Sequence, residues 1–271
     1  MSGENLGERI ALRGPADELK ELADTFDRML ARLDSAFASQ RHFVANASHE
    51  LRTPLAIMRT EIDVALADPH AGARELREMG EAVRETIDRC ERLLESLLML
   101  ARSEAAAGRE VPVELGGLAA DCLTDLRARA REAGVALDDD LSPAWVSGEP
   151  ALLERMLANL LDNGIRYNRR GGRLRVSVAT RGRSVSVVVA NDGPRIDPRQ
   201  VSSLTEPFRR LERGGQGFGL GLSIVRSVVV AHGGTLELQA APTGGLAVRI
   251  QLPAAPAKLT VGEESRALTP S

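Results

Sequence analysis

Between residues 43 and 55 the chain reads Phe43-Val44-Ala45-Asn46-Ala47-Ser48-His49-Glu50-Leu51-Arg52-Thr53-Pro54-Leu55. Around it, Val44, Ser48, Leu51, Leu55, Met58, Ile62 and Ala65 step by 4, 3, 4, 3, 4 and 3, the spacing of a helix in a coiled bundle. His49 falls one residue past the seam position Ser48, so its imidazole flanks the bundle and faces solvent. Glu50 is adjacent, and Thr53 lies one turn on, on the same side. A histidine that is reachable, neutral at one nitrogen and held by a base is equipped to accept a transferred group. Pro54 removes a backbone donor and predicts a bend just past the histidine. Zinc binding of the His-Glu-x-x-His type would need a second histidine where Thr53 stands. The plainer alternative is an ordinary surface histidine on a coiled-coil helix.

Three further constellations lie downstream. Asn159 and Asn163 are four apart on one helical face and offer amide oxygens to a hard cation, with Arg166 and Tyr167 next in line to reach phosphates and pack on a base. Asn191-Asp192-Gly193-Pro194-Arg195 closes a strand, and Gly193 permits a tight turn and close approach of a planar ligand. Gly217-Phe218-Gly219-Leu220-Gly221 opens a helix, where backbone N–H groups and the positive helix end can face phosphates. The spacing is neither that of a dinucleotide fingerprint nor of a P-loop, since no Gly-Lys-Ser/Thr follows. Taken singly, the asparagine pair could be exposed amides and the glycine run a structural turn.

Ser48-His49-Glu50-Leu51-Arg52-Thr53-Pro54-Leu55 closely resembles the H box of sensor histidine kinases. The resemblance implies that His49 is a phosphoacceptor, that Glu50 accepts its proton and that Thr53 orients water when the phosphorylated regulator is dephosphorylated. Asn159 to Asn168 resembles the family's N box, which implies that Asn163 coordinates Mg²⁺ and Asn159 supports the triphosphate of ATP. The Asn191–Arg195 segment is similar to the first glycine box, ordinarily Asp-x-Gly-x-Gly, whose aspartate accepts the adenine amino group; here Asn191 holds that position, Arg195 replaces the last glycine, and Asp192 is one position off and points elsewhere. Glu206-Pro207-Phe208-Arg209-Arg210 followed by Gly217, Gly219, Leu220 and Gly221 is similar to the F box and second glycine box. Arg210 matches the position implied to contact the terminal phosphate, with a mobile lid from about residue 195 to 216. Gly14-Pro15-x-Asp17-Glu18-Leu19 with Phe26 and Met29 resembles the second half of a HAMP linker.

The elements that must position these residues follow from composition and periodicity. At 271 residues and 43% hydrophobic content the chain holds real cores, but aromatics are only 3%, so Leu, Val, Ile and Ala must build them. A net charge of −3 of mixed sign argues against nucleic acid as a partner. No apolar run reaches a membrane span, and Cys90 and Cys122 lack metal-like spacing and read as buried thiols in a reducing cytosol. Leu19, Leu22, Phe26, Met29 and Leu33 form a first seam, and Phe37 adds a stutter that suits a joint between two coiled segments. After Asp68–Gly72 a second helix carries Leu76, Met79, Val83, Ile87, Cys90, Leu94, Leu97 and Ala101 on one face. Such a hairpin leaves apolar surface that a second copy would bury in a four-helix bundle. Beyond residue 108, strands at 111–115, 135–137, 174–178, 185–189, 235–238 and 247–252 alternate with helices at 118–133, 150–167 and 220–232.

The fold class expected is therefore α+β: an N-terminal helical hairpin forming a dimeric four-helix bundle, then a Bergerat-type α/β sandwich that binds ATP. The divisions expected are 1–36 for a partial HAMP linker and coiled coil, 37–104 for the phosphotransfer hairpin, 109–254 for the ATP-binding domain and 255–271 for a disordered tail. The function implied is ATP-dependent autophosphorylation of His49 in a homodimer, on the cytoplasmic side of a bacterial plasma membrane, and transfer to a response-regulator aspartate. The membrane would be reached only through a region preceding this chain. Two rivals stand beside it. A gyrase-type or chaperone ATPase shares the nucleotide fold but carries no H box. A degenerate kinase acting as a phosphatase or dimeric scaffold is suggested by Asn191 and Arg195.

Overall fold

Between Glu18 and Ala67 there is no glycine and a single proline, and the segment forms one unbroken helix, α1 (Glu18–Ala67). This is a computed structural model; it describes residues 18–68, 72–105, 110–211 and 217–255. The HAMP-like motif at 14–17, most of the Asp68–Gly72 connection, the expected hinge beyond Ala105 and the chain after residue 255 lie outside the described residues. The stutter at Phe37 and the proline at 54 are both carried inside α1 without ending it. Helix α2 (Ala73–Ala105) is capped by the Glu75 carboxylate, which takes the Gly72 N–H at 3.1 Å, and its first backbone bond runs from the Leu76 N–H to the Gly72 carbonyl at 3.2 Å. The chain divides into two compact units, Met1–Glu91 and Arg92–Ser271.

In the second unit, β1 (Val111–Glu114) pairs antiparallel with β3 (Trp145–Gly148) in a short ribbon, with α3 (Leu115–Ala133) and β2 (Ala136–Leu141) between them. Then follow α4 (Pro150–Arg166), β4 (Arg173–Arg181), β5 (Ser184–Asn191), a one-turn α5 (Pro198–Val201) continued by a 3₁₀ turn at Ser202–Thr205, α6 (Gly221–Ala231), β6 (Thr235–Ala240) and β7 (Leu246–Pro253). The main sheet has strand order β2-β4-β5-β7-β6, parallel between β2 and β4 and antiparallel elsewhere. Alternation sets its faces, broken on β5, where Ser186 is buried between Val185 and Val187. Leu174, Val176, Val178, Val185, Val187, Val189, Val248, Ile250 and Leu252 are buried, whereas Arg173, Arg175 and Arg249 project from the opposite face. Leu152, Leu153, Met156, Leu157, Leu161, Ile224, Val225, Val228 and Val229 from α4 and α6 complete the core.

The expected α+β architecture is present, with differences at its short elements. Strand β3 is only four residues, Trp145 to Gly148, too short for alternation to announce it. Residues 198–205, expected within a lid, are helical turns anchored by buried Val201, Leu204 and Thr205. Backbone pairing also reaches Ala255, one residue into the expected tail: Ala254 donates to the Arg183 carbonyl and Ala255 to that of Trp145, at 2.9 and 2.8 Å.

Candidate functional site

The reactive segment of the first unit lies on α1. His49 is exposed and Glu50 is half-buried beside it. The hydroxyls around the histidine turn back onto the helix: Ser48 Oγ donates to the Val44 carbonyl at 2.8 Å and Thr53 Oγ1 to the His49 carbonyl at 3.2 Å. Pro54 has no N–H to give, so the Glu50 carbonyl one turn back loses its usual helical donor. Two stripes run along α1. Ala47, Leu51, Pro54, Met58 and Ala65 are sheltered to differing degrees, whereas Val44, Leu55 and Ile62 stand 53%, 57% and 38% exposed. On α2, Leu76 and Ile87 are exposed as well.

The other constellations meet in the second unit. Helix α4 is held in register by Leu152, Met156, Leu160 and Leu161 in the core, which turns Asn159 and Asn163 toward the start of α6. Asn159 Nδ2 donates to the Arg155 carbonyl of its own helix at 2.9 Å, which fixes that amide. A side chain at Gly221 would stand 2.9 Å from Asn163 Nδ2 and 3.5 Å from Asn159 Oδ1, so both amides lie against the first turn of α6. No side chain caps that turn at Leu220, and its N–H groups stay open to an anion. Arg166 ends α4 with its guanidinium against Gly217, whose φ of 118° excludes other residues. Gly219, at φ 70°, accepts from the Phe208 N–H at 3.0 Å, and Phe208 itself is held at φ 65°, a left-handed geometry costly for a side chain of its size. The F-box-like segment is thus pinned to the glycine loop. Arg210 is half-buried just before the undescribed residues 212–216.

At the far end of the site, Gly193 packs against the Tyr167 carbonyl, and the Tyr167 side chain is 49% exposed. Asn191 is buried; its Nδ2 donates to the Tyr167 carbonyl at 2.9 Å and its Oδ1 accepts the Leu246 N–H at 3.1 Å. Asp192 points elsewhere, as its offset implies: its carboxylate accepts the Arg173 N–H at 3.1 Å and reaches the Arg175 guanidinium at 3.4 Å. The β6–β7 turn, with Gly244 and Gly245, packs on this corner through a Gly245 N–H to Pro194 carbonyl bond of 2.9 Å. The run Thr243-Gly244-Gly245 signals a turn in the sequence, but its place at this corner is set by the tertiary fold. Among the described residues no group of three His, Cys, Asp or Glu side chains could hold a metal. A hard cation would find a neutral oxygen donor in the Asn163 amide.

An exposed histidine beside a carboxylate on a helical hairpin, and paired asparagines facing a glycine-opened helix in an α/β sandwich, define a phosphoacceptor module joined to a nucleotide-binding module. Family models agree: residues 39–106 match the His Kinase A (phospho-acceptor) domain, and residues 148–256 match the histidine kinase-, DNA gyrase B- and HSP90-like ATPase. The chain is 47% identical over 258 residues to the sensor protein CutS of Streptomyces coelicolor, covering 93% of this chain and 62% of that one. It is 34% identical over 251 residues to the sensor protein kinase PmrB of Pseudomonas aeruginosa, covering 90% and 52%. The fold matches histidine kinase ThkA, solved in complex with response regulator protein TrrA, at a TM-score of 0.63 and 19% identity over 89% of this chain and 68% of that one. The chain belongs to the sensor histidine kinases of two-component systems. It spans about six-tenths of the length of CutS and about half that of PmrB.

Proposed function

We propose that this chain is the kinase portion of a dimeric sensor, which phosphorylates its own His49 from MgATP and passes the phosphoryl group to a response-regulator aspartate. The observation that carries this reading is the convergence of Asn159 and Asn163 on the uncapped first turn of α6 across Gly221. Amide oxygens and open helix N–H groups are what a triphosphate and its cation call for. Arg166 and Arg210 bring positive charge to the phosphates, and Tyr167 with Gly193 forms the base end. Magnesium, bound through Asn163, supplies charge neutralisation on the transferring phosphate. A His49 ring nitrogen bonds to the γ-phosphorus as the bond to the ADP oxygen breaks, and Glu50 takes the ring proton. Thr53 is the residue we assign to positioning the water that hydrolyses the aspartyl phosphate of the regulator, releasing inorganic phosphate. Its hydroxyl, spent as a donor on His49, can still accept.

The exposed stripe of Val44, Leu55, Ile62, Leu76 and Ile87 supports a homodimer built on these helices. No helix among the described residues is long and apolar enough to cross a membrane. The degenerate-kinase alternative, raised by Asn191 and Arg195, is not favoured, since Asn159, Asn163 and the glycine loop are arranged for a nucleotide. Incubation with Mg²⁺ and γ-labelled ATP tests the proposal. Acid-labile, base-stable label on the parent and none on His49→Ala is expected; neither label nor MgATP binding would return the degenerate-kinase reading.

A further inference from the structure

The Asn191 amide is engaged at both ends. Its NH₂ donates to the Tyr167 carbonyl at the end of α4, and its oxygen accepts the Leu246 N–H at the start of β7. Inverting the amide would set oxygen against oxygen at Tyr167 and hydrogen against hydrogen at Leu246, so these partners fix its orientation. The side chain is only 9% exposed, and the backbone it ties is crowded: a side chain at Gly193 would stand 2.7 Å from Asn191 Nδ2, and one at Gly245 would stand 2.7 Å from the Gly193 nitrogen. Three segments that meet at the base end of the site therefore depend on one residue that is both donor and acceptor.

We propose that Asn191 is a positioning residue, clamping α4, β5 and β7 around Gly193, and that it does not select adenine. The second half rests on the ATP reading above; the first does not. After its two protein bonds, the amide retains one N–H and one lone pair, which meet a 6-oxo purine as readily as a 6-amino one. The aspartate implied by the family resemblance would offer acceptors only. In this chain it would also face the Tyr167 carbonyl with no proton to share. The family's residue is thus the wrong one here, and Asn191→Asp is harmful instead of restorative. Protonated, that carboxyl regains one donor and one acceptor, so acid should repair the variant.

Thermal melting of the nucleotide-free chain reads the clamp. At pH 7.5 Asn191→Asp and Asn191→Ala should each melt about 3 to 6 °C below the parent. Moving to pH 5 should shrink the gap for Asn191→Asp and leave the gap for Asn191→Ala. An Asn191→Asp variant as stable as the parent at pH 7.5, or a gap that ignores pH, overturns the clamp. Equilibrium binding of ATP and ITP with Mg²⁺ to the parent reads selectivity. Dissociation constants within about threefold of one another are expected. A preference for ATP beyond about tenfold overturns the selectivity half. If neither nucleotide binds while the melting results hold, the ATP reading and the selectivity half fall together and the clamp stands.

Discussion

Asn163 shows how much of the chemistry rests on single atoms. Its amide lies between Gly221 and the end of α4, and Asn163→Ala would remove the one protein oxygen assigned to the cation without emptying any core. Phosphorylation of His49 in that variant should fall about 100-fold, roughly 3 kcal/mol of transition-state stabilisation, with the melting temperature held. A parent-like rate would remove Asn163 from the metal site. Cys122 makes the opposite case, a reactive type rendered inert. Burial in α3, with the carboxylates of Glu154, Asp125 and Asp121 adding to it, pushes its thiol up to about 11. The folded value lies above the unfolded one, so this contribution is complete below about pH 9 and is lost as pH rises through 11. The loss is on the order of 2 kcal/mol. Urea unfolding between pH 8 and 11 should show the parent losing more stability than Cys122→Ala. Native Cys122 should also resist alkylation at neutral pH while half-buried Cys90 reacts.

At the scale of elements, much of the fold was legible because hydrophobic period is a local signal. Helix α4 was expected at 150–167 and runs Pro150–Arg166, and the β4–β5 hairpin follows directly from its alternating valines. Strand β3 and the turns at 198–205 were not legible, since their stability comes from partners distant in sequence. The site was half-legible: residue types and spacing marked Asn159, Asn163 and the glycine loop, but no local pattern could say that Asn191 holds Tyr167 and Leu246. Glu114 is a similar tertiary knot. One carboxylate caps α3 through Gly116 and Gly117 N–H bonds of 2.8 and 2.6 Å, and binds the Ala144 N–H at 2.9 Å. Glu114→Ala should cost about 2 kcal/mol, seen as a lowered urea midpoint with unchanged slope. Gly80, exposed inside α2 with open space around its missing side chain, points the other way. Gly80→Ala should raise stability by about 0.5 to 1 kcal/mol, and a loss instead would mean that a second copy packs over that position.

For the whole molecule the decisive quantity is the apolar surface that one chain leaves uncovered. Val44, Leu55, Ile62, Leu76 and Ile87 sit at helical spacing on α1 and α2, each more than a third exposed. Each can still gain about 1 kcal/mol on full burial, so a symmetric pair of such stripes offers on the order of 10 kcal/mol, enough to oppose the cost of association. Surface of that size and period is unusual on a helix that works alone. Charge placed on the stripe should therefore break a dimer: Ile62→Glu is expected to sediment as a monomer at concentrations where the parent is a dimer. Val230, equally apolar and 66% exposed on α6, lies off the stripe and serves as the control. Val230→Glu should leave the mass unchanged. If Ile62→Glu stays dimeric, association runs through some other surface, and the seam read from residues 44 to 65 is a feature of the single chain.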